Sequence, residues 1–387
     1  KTIRHITPAE YAAVLSFTSE SPIEIKAKSD YFPDTQEVEI MSPSPVHETI
    51  ITWLHKCFIT YSSQIGHNDQ YVDTQFFTNN RLPDEESSQQ VPDIMGVVHC
   101  VDQFGNDKSF VRWVVEAGFS QSDGSIMRKF ANMVKNNSDI TKLIKISIDE
   151  DGTFQGPEEH TEVAKLLRKS GSRMNREKFK SLVPPKTSDT MYGPVVVGGH
   201  NWLKLKAVRI TVYLKDEASG KFQFDWRDPE HYAEGTLIPG VNMVDVDRLL
   251  NTSAANLKAE IISIMEEFGL EKSMIDQARG SKPKLPLNWS AAAMQMSSAI
   301  CDTAFFRYVD WYNYKYNNKR KGATTTHTTE VSGESSSQAI TPVTLLASGS
   351  SERDSKKPKV SQEKETSNTT SKKKKKKSGG KGKSRTA

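Results

Sequence analysis

The stretch VPDIMGVVHCVDQFGNDKSFVRWVVE, residues 91–116, decides how the fold is read. Two nearly continuous apolar runs, Asp93–His99 and Phe110–Glu116, flank Gln103-Phe104-Gly105-Asn106-Asp107. Gly, Asn and Asp between two such runs are hairpin chemistry, because they accept the unusual φ values a tight reversal needs. Opposed residues of an antiparallel hairpin have a constant index sum. Pairing Asp93 with Glu116 centres the reversal on Phe104 and Gly105, so the spacing predicts two carboxylates side by side at one end of a sheet. Such a pair is a hard oxygen site of the kind Mg²⁺ takes.

Working outward, Tyr71–Thr78 alternates and predicts a third strand, with Tyr71, Asp73, Gln75 and Phe77 on one face. Between Val46 and Tyr61 the residues Ile50, Leu54, Cys57, Phe58 and Tyr61 recur at helical spacing. Earlier still, Thr7-Pro8-Ala9-Glu10 reads as a capping box opening a helix over 8–17, and Ile23–Ile25 and Val38–Met41 alternate as strands. Downstream, Ile126, Phe130, Met133 and Val134 predict a helix over 124–135, and Leu143–Ile148 a strand. Helix, three strands, helix and strand in this order argue for a layered α/β or α+β domain. Residues 150–190 are polar, with a helix expected near 161–170. Strands follow at Pro194–Val197, Ala207–Lys215 and Lys221–Trp226, the last two joined by Asp216–Gly220, then long helices at 244–268 and 288–316. The expected division is a lead-in over 1–35, a core over 36–150, a polar linker over 151–190, a strand-plus-helix extension over 191–316 and a disordered tail over 317–387.

Hydrophobic residues make up 36% of the chain, and the net charge is +4. Residues 351–387 hold 14 of the 52 Lys and Arg but 4 of the 48 Asp and Glu, so the rest of the chain is mildly acidic. That excludes a body that is basic throughout. No apolar run approaches the length of a membrane span, and no long apolar leader of a secreted chain is present; neither a membrane partner nor secretion is expected. Cys57, Cys100 and Cys301 are few and far apart, without a CxxC pair, which argues against a disulfide scaffold or structural zinc and for a reducing compartment.

Several of these segments carry a resemblance. Glu39-Ile40-Met41-Ser42-Pro43-Ser44-Pro45-Val46-His47-Glu48, the step Pro92-Asp93, and Val114-Val115-Glu116 followed by Ser120-Gln121-Ser122 resemble the PD-(D/E)XK nuclease superfamily. They are most similar to its restriction-endonuclease-like branch common in bacteria and to the fungal relatives of that branch. The resemblance covers roughly residues 36–150. It implies a restriction-endonuclease-like mixed central sheet flanked by helices, and phosphodiester cleavage with Asp93 and Glu116 holding Mg²⁺ or Mn²⁺. The superfamily pattern has Lys two residues after the Glu, where this chain has Gly118. In some branches that lysine comes from the following helix, which makes Lys129, with Arg128 beside it, the candidate. Without a replacement, the resemblance implies a domain that binds metal or nucleic acid and does not cut. His47, Glu48 and Gln75 are accessory candidates. Their plainer readings are a helix cap, a favourable charge at a helix start and an ordinary strand position.

Three basic clusters mark the C-terminal part. They are Lys319-Arg320-Lys321, then Lys356, Lys357 and Lys359, then the run Lys372, Lys373, Lys374, Lys375, Lys376 and Lys377. They are read as nuclear import or salt-dependent, sequence-blind contact with nucleic acid. The expected partners are nucleic acid and an import receptor, and the expected location is the nucleus, otherwise the cytoplasm. The aromatic run Phe305–Tyr314 is read as core, and Gly198-Gly199 as a turn. A nuclear scaffold in which residues 191–316 contact other proteins is the third reading.

Overall fold

Three short strands open the computed structural model, which describes residues 2–317 apart from positions 8, 12, 14–27, 33, 42, 67–70, 83–89, 102–103, 120–122, 170, 188–189 and 226. They are β1 (Thr2–Arg4), β2 (Lys28–Phe32) and β3 (Glu37–Met41), antiparallel in the order β1-β3-β2. Helix α1 (Pro45–Ser62) follows. Ser44 caps it by accepting the His47 N–H at 3.3 Å, and Pro45 fills the first turn, where no backbone donor is needed. Its helically spaced face, with Ile50, Leu54, Phe58 and Tyr61, is buried as the spacing requires.

Strands β4 (Val72–Thr78), β5 (Ile94–Val101) and β6 (Asp107–Phe119) then run antiparallel. Helix α2 (Asp123–Asn136) carries the chain over to β7 (Lys142–Glu150), which lies parallel to β6, as a helical crossover demands. Short helices α3 (Glu162–Arg168) and α4 (Arg176–Ser181) follow, then β8 (Val195–Val197) and β9 (His200–Leu203), a hairpin turning at Gly198-Gly199. Strand β10 (Leu205–Leu214) returns to the main sheet beside β7, and β11 (Tyr232–Ile238) pairs with it. The result is a six-stranded mixed sheet in the order β11-β10-β7-β6-β5-β4. Helices α5 (Val244–Glu267), α6 (Lys272–Gly280) and α7 (Trp289–Tyr312) complete the chain, with a π turn at Asn313–Asn317.

Helices cover both faces of this sheet. The larger core joins α1, α5 and α7 to one face through residues such as Trp113, Ile146, Val208, Leu250 and Met296. A smaller core packs Ile126, Phe130 and Met133 of α2 on Met95, Val114 and Leu143 of the other. Among the described residues no helix is long and apolar enough to cross a membrane.

The hairpin register agrees with the expected index sum where it matters most: Ile94 faces Val115, Met95 faces Val114 and Gly96 faces Trp113. Beyond Gly96 a bulge shifts it by one, so that Val97 faces Val111. The Phe76 ring lies over that glycine, and a Cβ there would fall 2.7 Å from it, which explains a glycine in mid-strand.

One strand assignment is corrected. The expected hairpin partner of β10, Lys221–Trp226, contributes a single bridge between Asp216 and Lys221. Both edges of β10 are already taken, by β7 and by β11. Phe222 and Phe224 instead stack on each other and pack beside Tyr213. The stretch expected as a polar linker carries α3 and α4, which send Leu167 and Phe179 into the larger core. The aromatic end of α7 is core at Tyr308, Trp311 and Tyr312 and exposed at Phe306 and Tyr314. The Ile23–Ile25 strand, the second half of the 8–17 helix and the expected disordered tail from 318 onward lie outside the described residues.

Candidate functional site

Alternation along a strand puts Asp93 on the face of Met95 and Glu116 on the face of Val114, and both of these apolar residues belong to the smaller core under α2. The Asp93 N–H donates to Val115 O at 3.0 Å, which continues the hairpin ladder and sets the two acids next to each other. From α2, Lys129 points back to the sheet. Its Nζ donates to Glu116 Oε1 at 2.9 Å, to Asp30 Oδ2 at 2.7 Å and to Val91 O at 2.8 Å. Lys129 thus joins Glu116, Asp30 and the loop before β5 in one buried contact.

A second ammonium completes the cluster. Lys28, the first residue of β2, donates to Asp93 Oδ1 at 2.8 Å and Glu116 Oε1 at 2.9 Å. It bridges the two acids. Its strand is held by the neighbouring residues: Arg128 on α2 pairs with Glu37 at 2.8 Å and Glu39 at 3.0 Å and lies 3.9 Å over the Phe32 ring. Asp30 binds the loop before β5 through the Val91 N–H at 3.0 Å. The small sheet therefore acts as a lid that carries one cation and one anion to the acids.

From the other side comes His47, in the first turn of α1. Its Nε2 lies 3.3 Å from Asp93 Oδ2 and its Nδ1 3.0 Å from Glu48 Oε1. Asp93 Oδ2 also accepts the Ala117 N–H at 2.7 Å. Asp30, Asp93, Glu116 and Lys129 are each at most 2% exposed, so their charges must compensate one another. Three carboxylates face two ammoniums and one imidazole.

The electrostatics follow from that packing. Burial pushes His47 down, but its bonds to Asp93 and Glu48 outweigh it and raise the ring to about 10, so both nitrogens donate at neutral pH. Burial would raise Asp93, yet Lys28, His47 and Lys129 hold it well below the usual carboxylate range. Glu116 moves the other way, to about 7, because burial and the Asp93 charge outweigh its ammonium partners. Burial depresses Lys28, and the pull of Asp93 and Glu116 more than reverses this. Two adjacent acids are thus driven apart, one held low and one raised, a pattern shared by active sites and by structural ion-pair networks.

Glu116 Oε2 is buried and accepts no hydrogen bond among the described residues, a hard oxygen beside Asp93. Among the described residues no group of three or more His, Cys, Asp or Glu is arranged to hold a metal. Two carboxylates nonetheless suit Mg²⁺, which keeps most of its shell as water or substrate phosphate. Of the four oxygens only Glu116 Oε2 is open among the described residues, and Lys28 stands where an ion between the acids would sit, so an ion would have to displace it.

Asp93, Glu116, Lys129, His47 and Glu48 are thus gathered in one place, and Gln75 is not. Gln75 pairs with Val97, four residues along β5 from Asp93, a separation of roughly 13 Å at ~3.3 Å per residue, and its amide bonds Asp73. Lys356, Lys357, Lys359 and Lys372–Lys377 lie outside the described residues, as does Ser120-Gln121-Ser122. Sequence reading missed Lys28 and Asp30, whose only signal is a two-residue spacing that puts them on one face of a strand. It also missed Lys145, a lysine in an otherwise apolar run. Lys145 occupies the rung of Glu116 and pairs with Asp123 at 3.3 Å. Comparison of the chain with protein-family models, curated proteins and solved structures finds no match.

Proposed function

We propose that the chain is a PD-(D/E)XK-type phosphodiesterase acting on nucleic acid, with Asp93, Glu116 and Lys129 as its acid–acid–lysine set. The observation that carries this reading is the convergence of Lys129 and the two acids from three separate elements. A mixed central sheet flanked by helices, as the resemblance implies, is in keeping with this reading. Asp93 and Glu116 would hold Mg²⁺ or Mn²⁺, which supplies Lewis-acid charge at the scissile phosphate. Lys129 stabilises negative charge developing beside Glu116. His47 and the Ala117 N–H fix the orientation of Asp93 through its Oδ2. Glu116 Oε2 would take the ion, while the ammoniums of Lys129 and Lys28 on Oε1 hold the carboxylate in place. The basic clusters beyond residue 318 would add nucleic-acid contact or nuclear import.

The purified chain should nick supercoiled plasmid in Mg²⁺ and not in EDTA, and Asp93→Ala should abolish the nicking. Equal nicking by wild type and variant overturns the assignment. One observation favours a second reading, a nuclease-like domain that binds and does not cut: Lys28 already bridges both acids. Calorimetric titration separates the two, because a chain that takes up no Mn²⁺ at millimolar concentration has a closed site.

A further inference from the structure

Between Lys165 and Lys180 seven residues are Lys or Arg and one, Glu177, is acidic, in a chain whose first 350 residues are otherwise mildly acidic. The local fold explains how so many cations share one surface. Helices α3 and α4 bury Leu167 and Phe179 and turn their remaining faces to solvent. Some of the charge is compensated: Lys165 pairs with Glu162 at 2.7 Å, and Arg176 and Lys180 share Asp302 of α7. Lys169, Arg173 and Lys178 are exposed and form no ion pair among the described residues. Like charges this dense repel one another and do nothing for the core, so an anionic partner is the natural complement.

Asp302, which holds Arg176 and Lys180, is followed by Thr303, whose hydroxyl accepts the Val46 N–H at 3.1 Å in the first turn of α1. The next residue, His47, contacts Asp93. These links run through the buried core, where Val46 and Thr303 lie, and fix the cationic surface to the frame that carries α1. We propose that Lys169, Arg173 and Lys178 form a docking surface for the phosphate backbone of a nucleic acid, to which their uncompensated charge is complementary. The choice of nucleic acid as ligand rests on the phosphodiesterase reading, whereas docking itself needs no cleavage.

The test is binding of the full chain to a fluorescent DNA duplex in EDTA, followed by anisotropy across a salt series. Removing one cation that meets a phosphate should make the slope of log K against log salt shallower by about 1. The triple variant Lys169→Glu, Arg173→Glu, Lys178→Glu should bind at least tenfold more weakly, with a slope shallower by about 3. Its thermal unfolding should match wild type, because all three side chains are exposed. A Lys169→Arg, Lys178→Arg variant should bind as wild type. Equal affinity and slope for wild type and the triple variant overturn the proposal, as does a wild type that binds no duplex. So does a triple variant that loses only its binding to phosphatidylserine vesicles, which would assign the surface to a membrane. Wild type and the triple variant are also assayed for nicking in Mg²⁺, and a wild type that binds the duplex but does not nick counts against the catalytic reading alone.

Discussion

Lys129 of α2 and Glu116 of β6 meet at 2.9 Å, Nζ to Oε1, although 13 positions separate them in the chain. A lysine two residues after the glutamate would have approached from the same strand. Here β6 ends, the chain turns into a helix, and the helix returns an ammonium to the same oxygen. The strand position is left to Gly118, which pairs with Ser147 in the β6–β7 ladder.

Lys129→Met should lower nicking by about 10²- to 10³-fold, the usual loss when a group stabilising developing charge is removed. It should also destabilise the fold by about 3–5 kcal/mol, because Asp30 and Glu116 lose a buried partner. Adding Asp30→Asn should recover part of the stability and none of the nicking. Urea unfolding and plasmid assays on the single and double variants check this.

Lys28→Met should increase affinity for Mn²⁺ tenfold or more by calorimetry. At about 4 Å and an effective dielectric near 20, unit charges interact with ~4 kcal/mol, so removing a cation from between the acids relieves a large repulsion toward an incoming ion. Weaker uptake by the variant would instead make Lys28 part of the ion's support.

Lys142 is fully buried over the Trp113 ring and donates to Ser253 Oγ at 2.8 Å. Burial depresses its amine well below the ordinary lysine value. Below about 10.5, and above the folded value, the unfolded chain binds a proton here that the native chain does not. Across that window this group makes stability fall as pH falls, and the loss is complete below the folded value. Lys142→Met should therefore stabilise the protein, by on the order of 1–3 kcal/mol. The gain should be largest at neutral pH and shrink toward about 10.5, as measured by urea midpoints across that range.

Gly96→Ala should cost about 1–3 kcal/mol, since the new methyl would lie 2.7 Å from the Phe76 ring and 3.2 Å from Trp113 Cβ. Because Gly96 is the last residue in register with the Asp93 end of the hairpin, the same variant should weaken Mn²⁺ uptake even where it remains folded. Denaturant unfolding and calorimetry on one preparation separate the two effects.

Much of the sheet and half of the site could be read from local pattern. Turn residues at Gly105-Asn106 and two apolar runs suffice to place Asp93 beside Glu116, because a hairpin register needs no knowledge of the rest of the chain. Lys129 is named only through the resemblance, and the structure puts it on the buried face of α2 with Ile126, Phe130 and Met133. Lys28 and Asp30 escaped because they arrive on a separate small sheet whose docking depends on Arg128 meeting Glu37 and Glu39, contacts made across about ninety positions. The partner of β10 was misjudged for a related reason. Phe222 and Phe224 look like strand residues, but nothing local says that β7 and β11 already occupy both edges of β10. Gln75 faces the expected side and fails only on distance along the strand.

The hydroxyl of Thr303 holds the first turn of α1 across 257 positions, and β10 and β11 supply two of the six strands beside it. The acids and their lysine all lie within the first 150 residues, yet the scaffold that aims His47 at Asp93 is finished only near residue 303. A shortened protein ending at about residue 190 would keep every reactive group and lose the frame that points them at one another, so the smallest working fragment has to extend through α7.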